Sequence, residues 1–144
     1  AAKTYEAYYN LKLQLNSGEL VRDYVVLCHG WMPRARSETG ARIHWTRGGR
    51  SSSVVTPQGR AARTRLKVCA HAVLARRCFS LVAVRIETGR QHQIRVHTAH
   101  LGHPTACDGR YTAAATATSD CTWCPRNALH RYRLAFRDGV GIAR

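Results

Sequence analysis

The chain has 144 residues, of which 44% are hydrophobic and 22% charged, and its formal net charge is +15. At this length one domain can bury about 70% of its unfolded surface. No apolar run approaches the ~20 residues that cross a membrane and no signal segment opens the chain, so we expect a soluble intracellular protein, in the cytoplasm or an organelle such as the mitochondrion.

The positive charge favours a polyanionic partner, because each neutralised phosphate releases condensed counterions. A membrane partner would require a basic helix with a broad apolar face, and the sequence contains none. Nucleic acid is therefore the expected partner class.

The first predicted element is a strand from Lys3 to Leu15. Apolar and aromatic residues alternate with polar ones throughout this segment, and Asn16-Ser17-Gly18 follows as a turn. A period of two over this length is typical of a half-buried strand.

A second strand is predicted at residues 24–27, and the composition changes after it. Residues 33–63 are rich in Arg, Ser and Gly, which indicates a basic loop or hairpin insertion. Its arginines, including Arg47 and Arg50, are equally suited to RNA phosphate contacts and to keeping an exposed loop solvated.

Two further strands follow this insertion. Residues 64–70 alternate between apolar and basic residues, and Arg76-Arg77 is predicted to turn the chain. Phe79–Ile86 is almost continuously apolar, so we expect a strand that is buried on both faces.

The next stretch is predicted to be a helix with a polar face. Thr88 can cap it, Gly89 allows a sharp entry, and Gly102 with Pro104 marks its end. Gln91, His92 and Arg95 are spaced by one turn and share a face. Such a face is suited to holding an anionic or polar group.

The cysteines and the region after the helix give weaker signals. Cys28, Cys69 and Cys78 lie in apolar or strand-like runs and are interpreted as buried thiols. Cys121 and Cys124 have the spacing of half a zinc site, which His103 or His130 could complete, but an ordinary turn is the preferred reading and no metal is predicted. Residues 112–124 include a low-complexity run and are expected to form a flexible insertion.

Residues 85–104 also carry a family resemblance. They resemble the motif R-x-x-TGR-x-HQIR-x-H-x-x-x-LGHP of the RluA-type pseudouridine synthases, which isomerise uridine to pseudouridine in RNA. Residues 3–7 resemble the family's K-x-Y-x-A motif, 59–68 its GK-x-A-x-T strand, 101–111 its LGHP-x-x-GD-x-x-YG segment and 129–136 its closing strand. Cys107 and Thr112 replace two glycines of the family pattern.

The resemblance implies a fold and a reaction. The fold would be α+β, with a mixed, largely antiparallel sheet and a helix packed across it, as in the second half of the catalytic domain. The chemistry would use one aspartate and no metal or organic cofactor. Catalytic roles are implied for Arg95, Tyr5 and Ile94, and RNA contacts for Arg90, His92 and Gln93.

The family's nucleophilic aspartate lies in an HRLD motif upstream of K-x-Y-x-A, and none of Asp23, Asp108, Asp120 and Asp138 matches it. Either the first half of the enzyme is not in this sequence, or the homologue lacks the nucleophile and acts as an RNA-binding ribosome or ribosome-assembly protein. We expect the carboxylate beside Arg95 to come from outside these four aspartates. The expected partners are RNA, ribosomal RNA above all, and ribosomal or assembly proteins.

Overall fold

A computed structural model of the protein describes residues 1–45 and 53–138. These residues form an α+β arrangement. In chain order its elements are α1 (Tyr5–Ser17), β1 (Val21–His29), β2 (Glu38–Thr39), β3 (Ile43–His44), β4 (Val54–Val55), β5 (Thr64–Leu74), β6 (Arg77–Ile86), α2 (Gln93–His100), α3 (Ala114–Asp120) and β7 (Leu129–Ala135).

The main sheet has the strand order β2-β5-β6-β1-β7, and each neighbouring pair is antiparallel. The strands β3 and β4 form a separate antiparallel pair. The predicted strands at residues 24–27, 64–70 and 79–86 are confirmed as parts of β1, β5 and β6, and the α+β class with a largely antiparallel sheet is confirmed.

The hydrophobic core lies on one face of this sheet. Ile94 of α2 joins the side chains of β1, β5 and β6 there, so α2 packs across the sheet as expected. The buried members of this core are Val26, Cys28, Met32, Leu66, Val68, Val82, Val84, Ile86 and Ile94.

The prediction that Phe79–Ile86 is buried on both faces is wrong. Side chains alternate across a strand, and in β6 Val82 and Val84 point into the core whereas Leu81 and Arg85 are exposed. The preceding turn also lies one residue earlier than predicted. Ala75 and Arg76 both have positive φ, as a two-residue hairpin turn of type I′ requires.

The predicted strand at residues 3–15 is also wrong, because this segment forms helix α1. The hydroxyl oxygen of Thr4 accepts the Ala7 N–H, and Gly18 closes the helix with φ 80°. Leu, Ala, Glu, Lys and Gln, which dominate the segment, are all good helix formers. Gln14 attaches α1 to the chain after β7 by bonding both the N–H and the carbonyl of Arg137.

Part of the expected flexible insertion is a helix. The buried carboxylate of Asp120, at the end of α3, bonds to His29, to Arg77 and to the backbone N–H of Cys107. These bonds fix α3 against the sheet, which corrects the expectation for residues 114–120. A low-complexity run of alanine and threonine gives no sequence signal for such an anchor.

The three thiols expected in the interior differ in burial. Cys28 is buried, Cys78 is partly buried, and Cys69 is exposed on β5, so the prediction fails for Cys69. Among residues 1–45 and 53–138, no helix is long and apolar enough to span a membrane.

Candidate active site

The turn before α2 is organised by the side chain of Gln93, which is 2% exposed. Its Oε1 accepts the Thr88 hydroxyl and the Arg90 N–H, and its Nε2 donates to the Arg63 carbonyl and the Thr64 hydroxyl. An amide has two acceptor sites and two donors, so its bonding capacity is used. Gln93 is therefore not at the surface, where the predicted RNA contact would require it.

The beginning of the helix also differs from the prediction. Helix α2 begins at Gln93, and the residue preceding it, His92, has a left-handed backbone with φ 54°. Thr88 is not its N-cap but donates its hydroxyl to the Gln93 side chain. Gln91 and His92 therefore precede the helix and do not share a helical face with Arg95.

The glycine of this turn lies close to a buried arginine. A Cβ at Gly89 would lie 2.8 Å from Nη1 of Arg22. Arg22 is itself buried on β1 and donates from Nη2 to the Glu87 carbonyl, and burial lowers the pKa of its guanidinium. The turn is thus held against β1 by a buried arginine, and a side chain at position 89 would require the Arg22 guanidinium to move.

The central feature of the site is the pair formed by Arg95 and Asp108. Arg95 donates from Nε to Oδ2 of Asp108 at 2.8 Å and from Nη2 to Oδ1 at 2.5 Å. The Arg95 side chain is 22% exposed and that of Asp108 is fully buried. This fork geometry fixes the direction of the guanidinium as well as its charge.

Further donors surround the Asp108 carboxylate. The Thr105 hydroxyl donates to Oδ2, and the backbone N–H groups of Arg110 and Tyr111 donate to Oδ1. Burial alone would raise the pKa of Asp108, but the Arg95 guanidinium, the Arg110 N–H and the Thr105 hydroxyl hold that pKa below its usual value. Asp108 is therefore an ionised anchor inside the protein, and it pairs with Arg95, whereas the carboxylate expected at this place was one from outside the four aspartates.

An aromatic ring covers the Arg95 guanidinium. The centroid of the Tyr111 ring lies 5.1 Å from Cζ of Arg95, within the range of a cation–π interaction. The Tyr111 hydroxyl is hydrogen-bonded to Nδ1 of His92 at 3.1 Å. His92, Arg95 and Tyr111 therefore form one cluster, of which only the first two were predicted as site residues. The spacing Asp108-x-x-Tyr111 after the helix was the available signal for Tyr111 and for Asp108.

The remaining predicted catalytic residues lie elsewhere. Tyr5 begins α1 and is 84% exposed, so its ring faces solvent and not a pocket wall. Ile94 belongs to the hydrophobic core beneath α2. The catalytic roles that the resemblance implies for Tyr5 and Ile94 stay predictions.

A cavity of about 880 Å³ lies beside the turn that carries Gly89. It is lined in part by Arg90, a predicted RNA contact, and by Arg60, His44 and Trp45. Cationic and aromatic side chains together are suited to phosphates and stacked bases. The other two predicted RNA contacts, Arg47 and Arg50, lie outside the described residues.

The other two buried aspartates are also bonded internally. Asp23 accepts two hydrogen bonds from Arg85, and Asp120 accepts hydrogen bonds from His29 and Arg77. Within the part of the chain that the structure describes, no group of three His, Cys, Asp or Glu side chains could hold a metal ion.

His97 connects the site helix to the sheet and is fully buried. Its Nε2 donates to the Ala41 carbonyl at 2.8 Å, so in the neutral ring Nδ1 accepts from the Thr64 hydroxyl, also at 2.8 Å. Burial lowers the pKa of His97 below its ordinary value of 6.5. The folded protein therefore holds this imidazole neutral.

We expect the free energy of unfolding to fall as the pH is lowered below about 6.5, where the unfolded chain binds a proton on His97 more readily than the folded protein does. Urea titrations between about pH 7.5 and pH 5.5 measure this slope. His97→Gln should flatten it, and His100→Gln, at an exposed position of the same helix, is the control. An equal slope in wild type and His97→Gln would contradict the assignment.

The described residues thus form an α+β domain in which α2 lies across an antiparallel sheet and carries the buried Arg95–Asp108 pair. The profile of the family described as RNA pseudouridylate synthase matches residues 1–100. The chain belongs to this family, whose members are isomerases, as the resemblance in residues 85–104 predicts.

Individual relatives agree with this assignment. The chain is 35% identical to ribosomal large subunit pseudouridine synthase D of Nitrosomonas europaea over 140 residues, covering 92% of this chain and 38% of that protein. It is 34% identical to the enzyme of the same name from Vibrio vulnificus, covering 96% of this chain and 44% of that protein. The chain thus spans less than half the length of these relatives.

A solved structure also matches this fold. Human RNA pseudouridylate synthase domain containing 1 superposes with a TM-score of 0.76 at 26% identity. The match covers 92% of this chain and 56% of the human one.

Proposed function

We propose that this protein isomerises uridine to pseudouridine in structured RNA, ribosomal RNA in particular, and that the chain supplies the part of the site that holds the target nucleotide. The observation that carries the proposal is the Arg95–Asp108 clasp, because it fixes a cation within the family motif. The names of two relatives, which are synthases of the large ribosomal subunit, support ribosomal RNA as substrate.

The reaction requires positioning more than redox or metal chemistry. The bond between C1′ and N1 of uridine breaks and a bond between C1′ and C5 forms, while N1 gains a proton and C5 releases one to water. The target base has to leave its stack, at a cost of a few kcal/mol that pocket contacts offset. A fixed guanidinium and an adjacent aromatic ring are suited to that task.

Arg95 can serve a second anion while it holds Asp108. Asp108 engages Nε and Nη2, which leaves the Nη1 edge of the fork for another acceptor. In the proposed enzyme this acceptor is the carboxylate of the nucleophile, which an adjacent cation keeps ionised in a pocket that excludes water. Tyr111 covers the guanidinium and limits its movement.

A second candidate function is RNA binding without catalysis. It is favoured by the internal bonding of Asp23, Asp108 and Asp120, since each buried carboxylate already has an arginine partner. In that case the basic cavity and the clasp hold RNA in a ribosome or an assembly intermediate.

The test uses the intact gene product and ribosomal RNA transcripts that carry tritium at C5 of uracil. Release of tritium into water, with pseudouridine found by nuclease digestion and mass spectrometry, is the expected result. Salt-dependent RNA binding without tritium release would favour the binding protein instead. If the protein neither bound RNA nor released tritium, both functions would be contradicted.

A further inference from the structure

The sulfur atoms of Cys107 and Cys121 lie 2.9 Å apart. A disulfide bond is about 2.05 Å long, so the two atoms are about 0.9 Å beyond bonding distance. The residues come from different segments, since Cys107 precedes Asp108 in the loop after α2 and Cys121 follows α3. Cys121 is exposed and Cys107 is partly buried, so an external reagent can reach the pair.

Both cysteines are positioned by the same buried carboxylate. Asp120 directly precedes Cys121 and accepts the backbone N–H of Cys107 at 2.8 Å. The Asp120 carboxylate also accepts hydrogen bonds from His29 on β1 and from Arg77 on β6. Because Asp120 is buried and fixed by these hydrogen bonds, it holds the backbones of Cys107 and Cys121 in places that bring the two thiols together.

The backbone of Cys107 adds an independent observation. Its φ is 54°, in the left-handed region that disfavours residues with a Cβ. The family pattern has a glycine here, which would adopt this conformation freely. A residue with a Cβ in this region costs free energy, and such backbone outliers cluster at functional sites.

We propose that Cys107 and Cys121 are a redox modification site that closes into a reversible disulfide by exchange with a low-molecular-weight disulfide. The Cys121 thiolate attacks one sulfur of the reagent and releases one thiol, which leaves a mixed disulfide on Cys121. The Cys107 thiolate then attacks the Cys121 sulfur and releases the second thiol. The two protein thiols are oxidised and the reagent is reduced, and the two protons that the protein thiols lose are taken up by the two released thiolates, which become thiols.

The order of attack follows from the surroundings of the two thiols. The hydrogen bond with Cys121, together with burial, raises the pKa of Cys107 to about 11. Only the thiolate is nucleophilic, so the exposed Cys121 reacts first and Cys107 resolves the mixed disulfide. The closed ring then ties the loop that carries Asp108 to the end of α3. This inference stands apart from the proposed isomerase activity.

Peptide mapping tests the proposal on the wild-type protein. The chain is treated with oxidised glutathione at about pH 8, near the ordinary thiol pKa, and remaining thiols are alkylated before digestion with trypsin. Cleavage after Arg95, Arg110 and Arg126 places Cys107 in peptide 96–110 and Cys121 with Cys124 in peptide 111–126. We expect these two peptides to be joined, with Cys124 alkylated and the link lost after reduction.

Cysteine variants identify which two thiols form the disulfide bond. Cys121→Ser and Cys107→Gly should abolish the link, and Cys107→Gly suits the left-handed backbone so that the loop keeps its conformation. Cys124→Ser and Cys69→Ser should retain it. A bond between Cys121 and Cys124 within peptide 111–126, stable glutathione on Cys121, or no oxidation at all would overturn the proposal.

Discussion

Asp108→Ala is expected to lower the free energy of unfolding by about 3–5 kcal/mol, the range for removing one partner of a buried ion pair. The loss has two sources. The substitution leaves the Arg95 guanidinium without its bidentate acceptor. It also removes the hydrogen-bond acceptor of the Thr105 hydroxyl and of the N–H groups of Arg110 and Tyr111. Urea unfolding followed by circular dichroism measures the change.

Asp138→Ala is the matched control, because Asp138 is exposed and should change stability by no more than about 0.5 kcal/mol. The double variant Arg95→Ala with Asp108→Ala should be less destabilised than the sum of the single variants, by on the order of 1–3 kcal/mol. A loss below about 1 kcal/mol for Asp108→Ala would contradict its role as an internal anchor.

The Arg95–Asp108 clasp also marks the limit of what the sequence predicts. Both residues lie in recognisable motif positions, and the importance of Arg95 was implied by its match to the family motif. Their pairing was not predicted, because it joins α2 to the loop after the helix and depends on how that loop folds back. Sequence spacing describes neighbours within an element better than contacts between an element and the loop beyond it.

The hydrophobic pattern of the sequence was sufficient to predict strands β5 and β6. Alternation in β5 and a long apolar run in β6 predicted two adjacent strands, which pair over ten positions. The same period of two failed at residues 5–17, where the residues are good helix formers and Thr4 and Gly18 supply both caps. A half-buried strand requires a neighbouring strand, whereas a capped helix satisfies its backbone bonds alone.

Gln93 gives a second reason why side-chain roles are hard to predict. A polar residue in a basic motif suggests a surface contact, and the structure instead buries its amide in four internal hydrogen bonds. Buried polar groups are retained when every donor and acceptor is paired. Sequence alone does not reveal whether such a complete set of partners exists.

Arg95→Ala in the intact enzyme is expected to lower pseudouridine formation by about 10²–10³-fold, the effect of removing one preorganised donor from a dry site. The physical reason is that the buried Asp108 and the Tyr111 ring hold the Arg95 guanidinium in a fixed direction, as the proposed role toward the nucleophile requires. Arg95→Lys keeps the charge but loses the bidentate fork, so we expect a defect nearly as large. Turnover per folded molecule is measured by tritium release, with the folded fraction taken from circular dichroism.

A salt titration of RNA binding separates this role from a simple phosphate contact. Losing one phosphate contact should flatten the slope of log K against log salt by about 0.7–0.9. We expect that change for Arg60→Ala at the exposed cavity wall, and no change for Arg95→Ala, whose charge is directed to Asp108. If Arg95→Ala instead flattened the slope and left turnover of bound RNA unchanged, Arg95 would be an ordinary phosphate ligand, and the clasp would stabilise the loop without assisting the reaction.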